Sequence, residues 1–153
     1  MTKEELMRKA IELSKENIEN GGGPFGAVIA TKEGEIVATG VNRVTASCDP
    51  TAHAEVSAIR AAAAKLGTFN LSGYEIYTSC EPCPMCLGAI YWARLDKCIM
   101  ATIRRMPKKS VLMTLLFMTN WNLNLKTENS PLKSYYTMKP LLPSKPGRPK
   151  KTR

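Results

Sequence analysis

No stretch of this sequence approaches the roughly 20 apolar residues that a bilayer crossing requires, and the cluster LMTLLFM is far too short. A membrane partner is therefore not expected. The N-terminal MTKEELMRKAIELSKENIE lacks the basic start and continuous apolar run of a secretory signal; both signs of charge interleave with apolar residues at helical spacing. Internal repeats are missing as well. Cysteine is odd in number, so the five thiols cannot all pair, and 153 residues with 44% apolar content can bury a core without disulfide staples. These absences point to a reducing, cytoplasmic location. Histidine is rarer still, His53 being the only one. Acidic residues nearly vanish towards the end. Residues 1–103 hold 10 Lys/Arg and 12 Asp/Glu, a balance of −2, whereas residues 104–153 hold 12 and 1, a balance of +11. The total of +9 thus belongs to an atypical basic tail, 104–153, and not to the core, 1–103.

What is present reads as one α/β domain. Leu6, Ala10 and Leu13 keep one face of an opening helix apolar until NGGGP ends it. FGAVIAT and EIVATGVN read as two strands joined by a short turn around Lys32 to Gly34. CDPT offers helix-start chemistry, and HAEVSAIRAAAAKL follows as a helix up to Gly67. YEIYTS is a third strand, PMCLGAIYWAR a helix with Pro84 in its first turn, and KCIMAT a fourth strand. The order α-β-β-α-β-α-β predicts a mixed central sheet covered by helices in a three-layer α-β-α arrangement.

The stretch SCEPCPMC, residues 79–86, concentrates three of the five cysteines. His53-Ala54-Glu55 opens one helix and Pro82-Cys83-Pro84-Met85-Cys86 opens the next, so both N-termini can converge at one sheet edge, where ligands of α/β folds bind. Thiols at helix N-termini ionise readily. Two thiolates, Cys83 and Cys86, with the imidazole of His53 make a tetrahedral zinc site whose fourth position stays open to water, the mark of a catalytic centre. Zinc brings the pKa of water from about 15.7 to about 7. Glu55, two residues from His53, is placed to carry the proton from that water to the substrate and leaving group. Metal, nucleophile and proton carrier together describe hydrolytic deamination of an amidine-like ring carbon. A lone C-x-x-C reads as a redox pair and a lone His as a core residue, but H-x-E followed by P-C-x-x-C is the zinc-deaminase pattern. Cys80 could complete a four-ligand structural site; Glu81 and Pro82 separate it from the helix, so it reads as a strand-end thiol. Cys48 and Cys98 read as small apolar packers.

DPTAHAEVSAIRAA and YTSCEPCPMCLGAIYWAR resemble the cytidine deaminase superfamily, and within it the bacterial guanine deaminases. The resemblance spans about residues 1–103. It implies a cytidine-deaminase-like fold, conversion of guanine to xanthine and ammonia, a homodimer in the cytoplasm and a small purine base as substrate. By the same resemblance His53, Cys83 and Cys86 bind Zn2+, Glu55 shuttles the proton, Asn42 hydrogen-bonds the base, and Phe25 and the Ala54 backbone form the pocket. From the residues alone Asn42 is equally a turn residue and Phe25 equally core. A tRNA adenosine deaminase shares H-A-E and E-P-C-x-M-C and is the alternative within the superfamily; nucleic acid other than tRNA is not expected as a partner. From a different class comes a non-enzymatic zinc module that binds nucleic acid through the basic tail.

The likeness stops where the charge changes. Guanine deaminases continue with a pattern like A-x-E-x-x-F-D-D-x-x-I-Y-x-E and a later P-F-x-x-W, whereas this chain reads MPKKSVLMTLLFMTNWN. Methionine and tryptophan have one codon each, so the reading frame one nucleotide earlier is partly determined. Met106-Pro107 forces Ala, Met113-Thr114 and Met118-Thr119 each force Asp, Phe117-Met118 forces Tyr or His, and Asn120-Trp121 forces Leu. Common codons elsewhere complete the family pattern, and Leu142 to Gly147 permits P-F-Q-T-W. The tail is therefore expected to be an out-of-frame translation, largely disordered, that lacks both the family's base-reading aspartate near Thr114 and its closing segment.

Overall fold

The computed structural model describes residues 1–101 and the backbone of two later strands, 124–128 and 135–139. Helix α1, Lys3–Glu19, begins with a capping box, in which Thr2 accepts from the Glu5 N–H and the Glu5 carboxylate accepts from the Thr2 N–H. It stops at Asn20, and Gly21 beyond it takes φ 78°. Strands β1, Gly26–Thr31, and β2, Ile36–Val41, form an antiparallel hairpin. Helix α2, Val44–Ser47, is a single turn that the sequence reading did not contain. Helix α3 is Ala54–Leu66, β3 is Tyr74–Thr78, α4 is Pro84–Trp92 and β4 is Lys97–Met100. Strands β5, Asn124–Glu128, and β6, Tyr135–Lys139, follow.

All six strands join in one mixed sheet of order β2-β1-β3-β4-β6-β5, in which β3 and β4 are parallel and the other pairs antiparallel. Side chains alternate between its faces as the strand period of two demands. Ala27, Ile29, Ile76, Cys98 and Met100 pack with Ala54, Ala58, Leu87 and Ile90 of α3 and α4. Val28, Ala30, Tyr77 and Ile99 pack with Leu6, Met7 and Ala10 of α1. Three layers result, as expected. Burying each of these larger apolar side chains favours folding by roughly 1.5–3 kcal/mol.

Two expectations need correction. CDPT does not cap α3, whose N-cap is His53; the Asp49 carboxylate instead accepts from the Thr51 N–H and hydroxyl at 2.8 and 2.6 Å, closing an Asx turn before the helix. Cys48 is exposed at φ 49° at the end of α2, so it packs no core. Within the tail, β6 pairs with β4 through Cys98↔Met138, Ile99↔Thr137 and Met100↔Tyr136, and β5 with β6. Ten tail residues thus form strand backbone, and the remainder of 104–153, including Thr114 and the expectation of a largely disordered tail, lies outside the described residues. Among the described residues no helix is long and apolar enough to cross a membrane.

Candidate metal centre and active site

The sheet register gathers the chemistry at one edge. Gly26 opposes Val41 and Ala27 opposes Thr78, while Thr78 and Met100 are parallel neighbours. The start of β1 and the ends of β2, β3 and β4 therefore lie side by side. Phe25 precedes β1, Asn42 follows β2, and the SCEPCPMC segment leaves β3. Ser79 ties this edge together, its N–H donating to Gly26 O and its hydroxyl accepting from the Gly26 N–H, both at 3.0 Å. Helix α3 reaches the same edge because Gly40 allows β2 to touch it backbone to backbone. A Cβ at Gly40 would collide with the Ala54 carbonyl and Ala58 nitrogen.

His53 and Cys83 are the N-caps of α3 and α4, and Cys86 lies in the first turn of α4 with its N–H directed at Cys83 Sγ at 3.5 Å. The positive helix ends favour thiolate here. Cys83 Sγ and Cys86 Sγ stand 3.6 and 3.5 Å from His53 Nδ1, and the three donor atoms all lie within 4.8 Å of one another. Zinc–sulfur bonds near 2.3 Å and a zinc–nitrogen bond near 2.0–2.1 Å at tetrahedral angles require N···S separations of about 3.5 Å. The donor set and its spacing fit zinc. Among the described residues this is the one cluster of three or more His, Cys, Asp or Glu able to hold a metal, and Cys80 is outside it.

The charges agree with that fit. The adjacent Cys86 side chain, above all, holds the Cys83 pKa down to about 5 against opposing burial, and the Cys86 N–H and the nearby His53 act in the same sense. The Cys86 pKa is pushed up by the neighbouring Cys83, by burial and by Glu55. Together the pair holds one thiolate and one proton, which a divalent cation displaces on binding. Glu55 is buried in the first turn of α3, and Cys86 Sγ donates to its Oε2 at 3.3 Å. Burial pushes the Glu55 pKa up. Cys98 is a fully buried thiol whose pKa burial also raises, a packing residue as expected.

Of the residues expected in the pocket, Ala54 is buried at the α3 N-terminus and Phe25 is half-buried against the core shared with α3 and α4. Asn42 accepts from the Val44 N–H through Oδ1 at 3.3 Å, and its own N–H donates to Phe25 O at 3.3 Å. Of the readings left open from sequence, the structure shows the turn role of Asn42 and the packing of Phe25, both at the metal-bearing edge. Sequence reasoning missed Ser79 and the Arg60 anchor. Arg60 donates to Asp49 Oδ2 at 3.0 Å and to Thr51 Oγ1 at 3.2 Å, fixing the turn that delivers His53. The D-P-T turn signal was visible; a long-range partner such as Arg60 has no local signal.

The family profile of the cytidine and deoxycytidylate deaminase zinc-binding region matches residues 1–102. Guanine deaminase of Bacillus subtilis is 59% identical over 95 residues, 61% of this chain and 60% of the relative. The X-ray structure of guanine deaminase from that organism aligns with TM-score 0.61 at 48% identity, covering 74% of this chain and 70% of the other. The tRNA-specific adenosine deaminase of Aquifex aeolicus is 42% identical over 103 residues, 67% of this chain and 68% of the relative. A solved structure in complex with 2,6-diaminopurine aligns with TM-score 0.62 at 38% identity, covering 64% of this chain and 55% of the other. The chain therefore spans under two thirds of the length of the first of these relatives.

Proposed function

Because this chain belongs to the cytidine and deoxycytidylate deaminase family, we propose that it hydrolyses guanine, water entering at the amino-bearing ring carbon as ammonia leaves and xanthine remains. The observation that carries this reading is the N,S,S triangle of His53, Cys83 and Cys86 with the Glu55 carboxylate 3.3 Å from one of its sulfurs. When bound, zinc supplies the Lewis acid that makes an attacking water acidic near neutral pH. The chain's own residues do the rest. Glu55 takes the proton of the attacking water, delivers it to a ring nitrogen and then assists departure of ammonia, and burial raises its pKa in the direction that favours holding a proton. Asn42 and the Ala54 N–H, which heads α3 and so lacks an intrahelical acceptor, hydrogen-bond the base, and Phe25 packs on it. Guanine is preferred over tRNA adenosine because identity to the guanine enzyme is 59% against 42% for the tRNA enzyme. A homodimer in the cytoplasm accompanies this reading, and Trp92, 79% exposed on α4, supports a partner there. The test is ammonia release by the zinc-loaded chain from guanine, adenine, cytosine, cytidine and a tRNA. Release from guanine above all others is expected, and release from tRNA alone would replace guanine with adenosine.

We infer further that residues 104–153 are translated out of frame. Three observations support it. The family match ends at residue 102, the charge balance reverses beyond residue 103, and the single-codon residues of the tail yield, in the neighbouring frame, Ala, Asp and Tyr or His at the spacing of the family's specified A, second D and Y. On this reading guanine turnover by the chain is poor even though its metal centre forms.

A further inference from the structure

Asn17 stands in the last turn of α1, and its side chain bridges two segments of the proposed base-binding edge. Its Nδ2 donates to Gly23 O at 2.8 Å and to Asn42 O at 3.0 Å. Those segments are themselves joined. The Phe25 N–H donates to Gly23 O at 2.8 Å, the Asn42 N–H donates to Phe25 O at 3.3 Å, and the Gly22 N–H returns to Asn17 O at 2.8 Å. A single primary amide thus uses both of its N–H groups to hold the backbone before β1 and after β2.

Packing supports this restraint on one side only. A cavity of about 300 Å³ lined by Asn17, Gly22, Asn42 and Arg43, among others, lies beside the bridge, so apolar packing, which reaches Phe25 from the core side, does not cover the Asn17 side. Small residues make room for the hydrogen bonds: a Cβ on Gly22 would run into the Asn17 amide, and one on Gly23 would stand 3.2 Å from Asn42 Cγ and 3.3 Å from Phe25 Cδ2. Asn17 binds main-chain oxygens only, leaving the side chains of Asn42 and Phe25 to other contacts.

We propose that Asn17 is a positioning residue for base recognition, holding the backbone of Phe25 and Asn42 so that their side chains meet the purine together. This rests on the function proposed above. Three variants separate the role from general stability. Asn17→Asp keeps the shape but turns both donors into acceptors facing carbonyl oxygens, Asn17→Ala removes the bridge, and Gly22→Ala displaces it while leaving Asn17 unchanged. The zinc-loaded full chain is read by amide hydrogen exchange at Phe25 and Asn42 against Val28, by zinc content, and by guanine affinity in a Glu55→Gln background that halts turnover. Exchange at Phe25 and Asn42 should quicken about tenfold with Val28 unchanged, and the guanine Kd should rise about tenfold, or about 1.4 kcal/mol, at unaltered zinc content. Unchanged exchange in all three variants overturns the clamp. Faster exchange with an unchanged guanine Kd, or loss of zinc together with affinity, overturns the positioning role. If the chain with Asn17 intact binds no guanine, the functional reading and the base-recognition role fail together, while exchange still decides whether Asn17 holds the two segments. Gly22→Ala decides the matter should Asn17→Asp not fold.

Discussion

Glu55 combines a buried position with a charge-bearing group, and water exclusion raises its pKa. A carboxylic acid so placed is poor at stabilising the fold and suited to passing protons. Glu55→Gln keeps the shape and removes the proton carrier, so it should retain zinc while turnover falls by about 10²- to 10⁴-fold. Steady-state rates beside elemental analysis check this, and near-normal turnover would remove Glu55 from the mechanism. Cys83 plays the opposite part. Its pKa near 5 supplies a thiolate at neutral pH, so Cys83→Ala should lower zinc content well below the roughly one ion per chain expected of a three-ligand site. Zinc affinity unchanged in that variant would mean that the sulfur is not a ligand.

At the scale of elements, the segment between α2 and α3 decides where His53 points. Asp49 accepts from the Thr51 hydroxyl and N–H and from Arg60, and these bonds, in that order, lower its pKa from 3.8 to about 2. A carboxyl whose folded pKa is depressed contributes stability above its unfolded value and loses it as pH falls through the folded one. Asp49→Asn should therefore lower Tm at pH 7. The gap from the unsubstituted chain should close as pH falls from 3.8 towards about 2. Melting curves across that window test it, and a gap constant with pH would show that the charge on Asp49 contributes nothing. Asp49 is partly exposed, its side chain at 33%, so the effect should also weaken in high salt.

The whole molecule divides where its charge does. A core of balance −2 is followed by a segment of balance +11, two strands of which extend the sheet from β4. Sequencing the gene decides the origin of that segment. A frame shift near codon 103, with the neighbouring frame encoding the acidic pattern, is the expected result. An intact frame whose codons cannot produce that pattern would leave a native basic tail, and strong guanine turnover by the chain as written would show that this tail serves the enzyme.

The residue types at 53, 55, 83 and 86, their spacing, and the strand and helix periods were legible in the sequence because each is a local property. A thiol pair three residues apart shares a helix face, and alternating apolar residues share a sheet face, whatever the rest of the chain does. The helix start at His53 was legible, but CDPT was not its cap: an Asx turn and an N-cap draw on the same residue types, and the bond from Arg60 selects the turn. Cys48 was misjudged because exposure is not a property of a thiol but of the turn that carries it. Only the tertiary structure brought His53 within 3.6 Å of sulfurs 30 and 33 residues away. Only it revealed Asn17 as the bridge between Gly23 and Asn42. Such contacts depend on strand register and helix placement, which the packing of Gly40 against α3 and the pairing of β1 with β3 decide across the whole core.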